Sequence, residues 1–175
     1  MGEYCEACIG CKPWYADRNS NQCVFCEDYE KWKNPTDVVY LGGAIDKVPP
    51  EFALGWRKKA TKVLKENGFS VFDPTAGKDL YAPTANISSF TPEYIVTTDL
   101  TMIEASNILL VEISKVNIPY HGTSMEIVYA YQWGKKIFVW GGSMSYWVRY
   151  HADQVFVTME DALDHIVYLK KRNTA

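Results

Sequence analysis

Asn107-Ile-Leu-Leu-Val-Glu-Ile113, Pro119-Tyr-His-Gly-Thr-Ser-Met-Glu-Ile-Val-Tyr-Ala-Tyr-Gln-Trp-Gly-Lys-Lys136 and Lys136-Ile-Phe-Val-Trp140 form the stretch that decides the fold. The first and last pieces are short apolar runs of strand length. Between them, Met125, Val128, Tyr129, Gln132 and Trp133 recur at helical spacing, Gly134 ends the pattern, and Lys135 and Lys136 suit the negative end of a helix dipole. Strand, helix, strand with short joins is the unit of a parallel sheet. Glu126 is the residue of this stretch that needs explaining. Thr123-Ser-Met-Glu126 matches a capping box, in which Glu126 returns a hydrogen bond to the Thr123 backbone. A helix start flanked by Gly122, Thr123 and Ser124 also offers unpaired N–H groups to a phosphate or a sugar hydroxyl.

The same alternation continues outward. Asp37-Val-Val-Tyr-Leu-Gly-Gly43 reads as a buried strand running into a glycine turn, and Pro49-Pro50 opens a helix that Asn67-Gly68 stops. Phe69-Ser-Val-Phe72 is a second strand, closed by Asp73-Pro74. Residues 74–92 are rich in proline and hydroxyl side chains without periodicity, as expected of a lid or substrate wall. Pro92 to Ser106 reads as a helix with Ile95, Leu100, Met102 and Ile103 as its core side. Gln154-Val-Phe-Val157 is the fifth strand, and Thr158 caps a closing helix to Lys170. The expected fold is α/β, a Rossmann-like five-stranded parallel sheet with helices on both faces, over residues 37–175. Ligands in such folds sit at the carboxyl ends of the strands, which gathers Gly42, Gly43, Asp73, Gly122, Thr123, Ser124 and Glu126 at one edge. Gly42-Gly43-Ala-Ile-Asp lacks the GxGxxG spacing and no P-loop is present, so the chemistry is expected to rest on carboxylates.

Residues 1–34 read differently. All five cysteines lie there, as Cys5, Cys8, Cys11, Cys23 and Cys26, and two CxxC pairs around a loop can close a tetrahedral zinc site with one cysteine left over. Cys5, Cys8 and Cys11 also resemble part of an iron–sulfur ligand run, and structural disulfides fit poorly with a reducing cytoplasm and an odd count. Residues 1–36 carry Lys12, Arg18, Lys31 and Lys33 against Glu3, Glu6, Asp17, Glu27, Asp28 and Glu30, which argues against a nucleic-acid partner. The whole chain of 175 residues has a net charge of −3, so it carries no basic field for nucleic acid or anionic lipid. No apolar run would span a bilayer and no signal sequence opens the chain, so a cytoplasmic setting is expected.

With these pieces in order, residues 37–168 resemble the nucleoside 2-deoxyribosyltransferase family and its nucleotide N-glycosidase relatives. The resemblance is carried by Val39-Tyr-Leu-Gly-Gly43, Phe72-Asp-Pro74, Thr98-Asp-Leu100 and Gly122-Thr-Ser-Met-Glu126 with Ala130 and Gly134-Lys135. It implies that Glu126 is a nucleophile attacking the anomeric carbon of a nucleoside or nucleotide, that Tyr40 aims it, and that Asp99 contacts substrate and delivers a proton to the leaving base. A helix start would keep Glu126 ionised. The resemblance also assigns Gly42, Gly43, Asp73, Gly122, Thr123, Ser124 and Met125 to the substrate site. Six residues before the nucleophile, where transferases have an aspartate and monophosphate hydrolases a small hydroxyl residue, this chain has Tyr120. Ser145 and Trp147 match positions that reach a neighbouring subunit's site, implying at least a dimer, and Arg57 and Arg149 are candidate phosphate partners or plain surface residues. The implied activity is deoxyribose transfer between bases, with hydrolysis of a nucleoside monophosphate as the alternative and a zinc-containing nucleotide sensor without catalysis as a reading of another class.

Overall fold

The computed structural model describes residues 38–78, 80–81, 91–142 and 144–174. The cysteine segment at 1–34, and with it the expected zinc site, lies outside the described residues, as does the middle of the loop at 74–92. From there the chain runs β1 (Val38–Gly42), α1 (Pro50–Glu66), β2 (Ser70–Phe72), α2 (Pro92–Glu104), β3 (Ile108–Ile113), α3 (His121–Gln132), β4 (Lys136–Gly141), α4 (Tyr146–His151), β5 (Gln154–Phe156) and α5 (Met159–Thr174). The five strands form one sheet in the order β2-β1-β3-β4-β5, and every pairing is parallel. The expected architecture is present. Because the chain steps from β1 out to β2 and then back across to β3, the helices after β1 and β3 diverge and a crevice opens at the carboxyl ends of these two strands.

Strand alternation sorts the core into two layers. Val39, Leu41, Ile108, Leu110 and Phe138 pack with Trp56, Ala60 and Leu64 of α1 and with Met159, Ala162, Leu163 and Ile166 of α5. Tyr40, Leu109, Val111, Ile137 and Val139 point the other way, toward Ile103 of α2, Ile127 and Ala130 of α3 and Val148 of α4. Since β1 and β3 are buried along their whole length, they read in the sequence as unbroken apolar runs. The same alternation sends Tyr40 to the α3 side.

Three local expectations change. The helix α3 starts at His121 with Tyr120 as its N-cap, so the capping box built on Thr123 does not form. Its buried face is Thr123, Ile127 and Ala130, with Glu126 bonded to Tyr40 of the sheet, whereas Met125 is exposed. Only Ile103 of the expected α2 core is fully buried. A short helix, α4, follows β4, with the Ser145 hydroxyl accepting from the Val148 N–H as its cap. The stops at Asn67-Gly68 and Gly134 hold, both glycines lying at positive φ, and the Thr158 hydroxyl accepts from the Asp161 N–H at the start of α5. Among the described residues no helix is long and apolar enough to cross a membrane.

Candidate active site

Two elements bring the central pair together. Tyr40 is wholly buried in the middle of β1, and Glu126 projects from the second turn of α3, on the side that packs against the sheet. The Tyr40 hydroxyl donates to Glu126 Oε1 at 2.8 Å. Burial, with the nearby carboxylates, holds the Tyr40 pKa well above its ordinary value, so the phenol stays a donor. The other oxygen, Glu126 Oε2, is shielded from solvent and has no hydrogen-bond partner among the described residues. It faces the last residue of β1. A methyl group added at Gly42 would lie 3.2 Å from this oxygen, so the absence of a side chain at Gly42 leaves the space in front of it.

Asp99 comes from the C-terminal half of α2, which packs on α3, and one of its oxygens is likewise buried without a partner. Burial first, and then the charge of Asp99, push the Glu126 carboxyl up to about 7; the Tyr40 hydrogen bond, Arg57 and Lys78 oppose the rise. Burial lifts Asp99 to about 6, opposed by Lys78 and Arg57. Rather than being held ionised by a helix start, Glu126 thus has a raised proton affinity. Glu126 lies beyond the first turn, where a helix dipole acts, and desolvation outweighs it.

Arg57 is neither a surface residue nor a phosphate ligand. Its side chain is fully buried; Nη1 donates to the Ala53 carbonyl at 2.8 Å and the Ala44 carbonyl at 3.3 Å, and Nη2 donates to the Gly43 carbonyl at 2.8 Å. It therefore ties the turn after β1 to α1. Burial lowers its pKa, and Asp73, with Oδ1 3.7 Å from Nε, is the strongest of the anions that counter this. The same Asp73 oxygen accepts from the N–H and hydroxyl of Thr75 at 2.8 and 2.6 Å, so Asp73 is accounted for by its turn and by Arg57. Arg149 is exposed on α4.

Tyr120 does not present its hydroxyl to the crevice. The phenol oxygen lies 3.0 and 3.2 Å from the two oxygens of Glu112 and accepts the Lys115 N–H at 3.0 Å. Of the turn residues expected to hold substrate, Gly122 is exposed, Ser124 is half-buried, Thr123 is buried in the helix face and Met125 points outward. Trp147 on α4 is exposed and stacks on His151, 5.9 Å between centroids. Gly43, at a φ of 152°, lies against Glu112, where an added methyl would come within 3.0 Å of its Cβ. Sequence reasoning passed over Glu112 and Lys78. Glu112 did carry a signal, as the single carboxylate in the apolar run Ile108–Ile113.

An open parallel sheet whose crevice holds a buried carboxylate, one oxygen tethered by Tyr40 and the other buried without a partner among the described residues, defines a Rossmann-like protein with a candidate site at the carboxyl ends of its strands. The chain belongs to the nucleoside 2-deoxyribosyltransferase-like family, whose model matches residues 36–143 and so includes Tyr40, Gly42, Asp73, Asp99, Tyr120 and Glu126. Membership places it among proteins that cleave or transfer the N-glycosidic bond of nucleosides or nucleotides. Ser145 and Trp147 fall beyond the match. Among solved structures, a 2-deoxyribosyltransferase from the psychrotolerant bacterium Bacillus psychrosaccharolyticus is similar at 20% identity and a TM-score of 0.55, over 73% of this chain and 90% of that one. The CMP N-glycosidase BcmB of Clostridium botulinum is similar at 20% identity and a TM-score of 0.52, over 77% of this chain and 99% of that one. At that identity the likeness is one of fold. A comparison with curated protein sequences gives no match.

Proposed function

We propose that this protein transfers deoxyribose between bases through a covalent Glu126 intermediate. The observation that carries the reading is the unpartnered, shielded Oε2 of Glu126 facing Gly42 while Tyr40 holds Oε1. In the first half-reaction Glu126 attacks the anomeric carbon, the C–N bond breaks, and its electrons leave with the base, which takes a proton from Asp99. A glycosyl ester on Glu126 results. In the second half-reaction a nitrogen of another base attacks the same carbon, returns a proton to Asp99 and frees the glutamate. Glu126 and Asp99 together hold one proton between pH values of about 6 and about 7; it rests mainly on Glu126, and the reaction proceeds from the minor tautomer that has it on Asp99. The pH profile of kcat/KM should therefore be a bell with its maximum in that interval.

One observation favours the hydrolytic alternative, in which water opens the ester of a nucleoside 5′-monophosphate. The first turn of α3 has neither a side-chain cap nor an acidic residue, and its N–H groups suit a phosphate. Incubation with a panel of deoxynucleosides and monophosphates, with and without acceptor bases, separates the two. Exchanged nucleoside supports transfer and free base alone supports hydrolysis; a deoxyribosyl adduct on Glu126 by mass spectrometry supports both. Binding without turnover across the panel sinks both and leaves a nucleotide sensor.

We also infer that four of Cys5, Cys8, Cys11, Cys23 and Cys26 hold a structural zinc, so metal analysis should return about one zinc per chain, and its absence from carefully purified protein defeats the inference. The aromatic surface of α4, with Tyr146, Trp147 and Tyr150 exposed, supports a homo-oligomer in which Ser145 and Trp147 approach a neighbouring site. A monomer by light scattering would overturn it.

A further inference from the structure

Glu112 is a carboxylate wholly out of solvent in the middle of an apolar strand, and the proposed chemistry does not use it. It points to the face of the sheet opposite Glu126, as the alternation of β3 requires: Leu110 faces α1 and α5, while Val111 faces α3. Its Oε1 nevertheless gathers three donors from the β3–α3 loop, namely the Ser114 N–H, the Ser114 hydroxyl at 2.6 Å and the Tyr120 hydroxyl at 3.0 Å. An apolar side chain of similar volume would often be at least as stable in such a place, so the carboxylate is better explained by the geometry it imposes.

That geometry leads to the nucleophile. Tyr120 packs its ring against the α3-side core and sends its hydroxyl across the end of β3 to Glu112, while the Lys115 N–H closes the loop onto the same oxygen. The carbonyl of Tyr120 accepts the Ser124 N–H at 2.8 Å, the first hydrogen bond of α3. The N-cap therefore offers its own helix no side-chain bond, because its phenol is committed to the strand. Strand, carboxylate, phenol and helix start form one connected line, and Glu126 follows in the second turn of the helix.

We propose that Glu112 is a positioning residue: through Tyr120 it fixes the start of α3 against β3, and so holds Glu126 at Tyr40. The proposal rests on Glu126 as the nucleophile for its kinetic consequence, and on the clamp alone for its structural one. The test is hydrogen exchange of the Ser124–Ile127 amides together with kcat and KM on the best nucleoside of the panel, in Tyr120→Phe, Glu112→Gln and Glu112→Leu. Tyr120→Phe should speed exchange of those amides about tenfold while α5 amides stay as they were. It should also lower kcat about tenfold with KM nearly unchanged, as expected of a misplaced nucleophile. Glu112→Gln, which keeps an acceptor oxygen, should retain most of the protection, and Glu112→Leu should follow Tyr120→Phe. If the leucine variant does not fold, Tyr120→Phe decides. Unchanged exchange at Ser124–Ile127 in Tyr120→Phe overturns the proposal, as does a kcat loss matched by an equal loss of folded protein. Should the wild type turn over no nucleoside, the nucleophile reading falls separately and the exchange measurement still decides the clamp.

Discussion

Two tyrosine–glutamate pairs hold the carboxyl edge of the sheet from its two sides, and their carboxylates are treated in opposite ways. Glu126 receives one bond, from Tyr40, and its second oxygen is left buried and unpaired. Glu112 receives the N–H and hydroxyl of Ser114 and the hydroxyl of Tyr120. A buried carboxylate given several donors has its lone pairs spent and is held as a fixture, whereas Glu126, given a single donor, keeps one oxygen unpaired and has a raised proton affinity from burial and Asp99. The same two residue types thus leave a carboxylate with one unpaired oxygen on one side and a fully bonded one on the other. What separates them is the number of donors that the neighbouring loop supplies.

The comparison can be broken most directly at Glu126. Replacement by Gln should lower turnover by at least about a thousandfold and abolish the mass-spectrometric adduct. Its effect on stability has the opposite sign. The folded-state pKa of about 7 lies above the ordinary 4.5, so the native protein binds the extra proton and loses stability as pH rises from about 4.5 through 7. The Gln variant lacks that loss, and at pH 8 it should be the more stable protein by up to about 3 kcal/mol in denaturant titrations. A Gln variant that is less stable at pH 8 would mean that Glu126 is a satisfied fixture like Glu112.

Tyr40→Phe is next in size. The Tyr40 bond lowers the Glu126 pKa, so its loss should move the basic limb of the rate profile, which the higher of the two values sets, to higher pH and cost roughly tenfold to a hundredfold in kcat/KM. An unmoved limb would show that another group sets it. Gly42→Ala should cost about tenfold in kcat with little change in melting temperature, since the added methyl meets Oε2 at 3.2 Å and not a backbone atom. Smallest is Ser114→Ala, which removes one of several donors to Glu112: about 1 kcal/mol of stability and no shift of the basic limb, read by thermal unfolding and the pH profile.

How much of this was legible in the sequence follows from how local each cause is. β1 and β3 were readable because burial on both faces writes itself as an apolar run, and Gly68 and Gly134 were readable because each sits at the positive φ that ends a helix. Tyr40, Asp99 and Glu126 were named from the resemblance, and the fold brings the three into one site. The start of α3 was misplaced because its anchor is Glu112, a strand residue, rather than a neighbour within the turn. Arg57 looked like an ordinary helix arginine because its partners are the carbonyls of Gly43, Ala44 and Ala53 and the carboxylate of Asp73, which meet only after β1 and α1 pack. The raised proton affinity of Glu126 was not legible for the same reason: burial and Asp99 of α2 cause it, and neither is visible in the motif.

Gly42 closes the line of thought begun at Glu126. Its backbone is ordinary strand, so alanine is permitted there, and a single base change in any glycine codon yields alanine. One nucleotide thus separates the site as it stands from one slowed about tenfold, and that step would leave tyrosine, aspartate and glutamate untouched. In any related sequence, the residue at the end of β1 therefore bears on activity even where the glutamate is present.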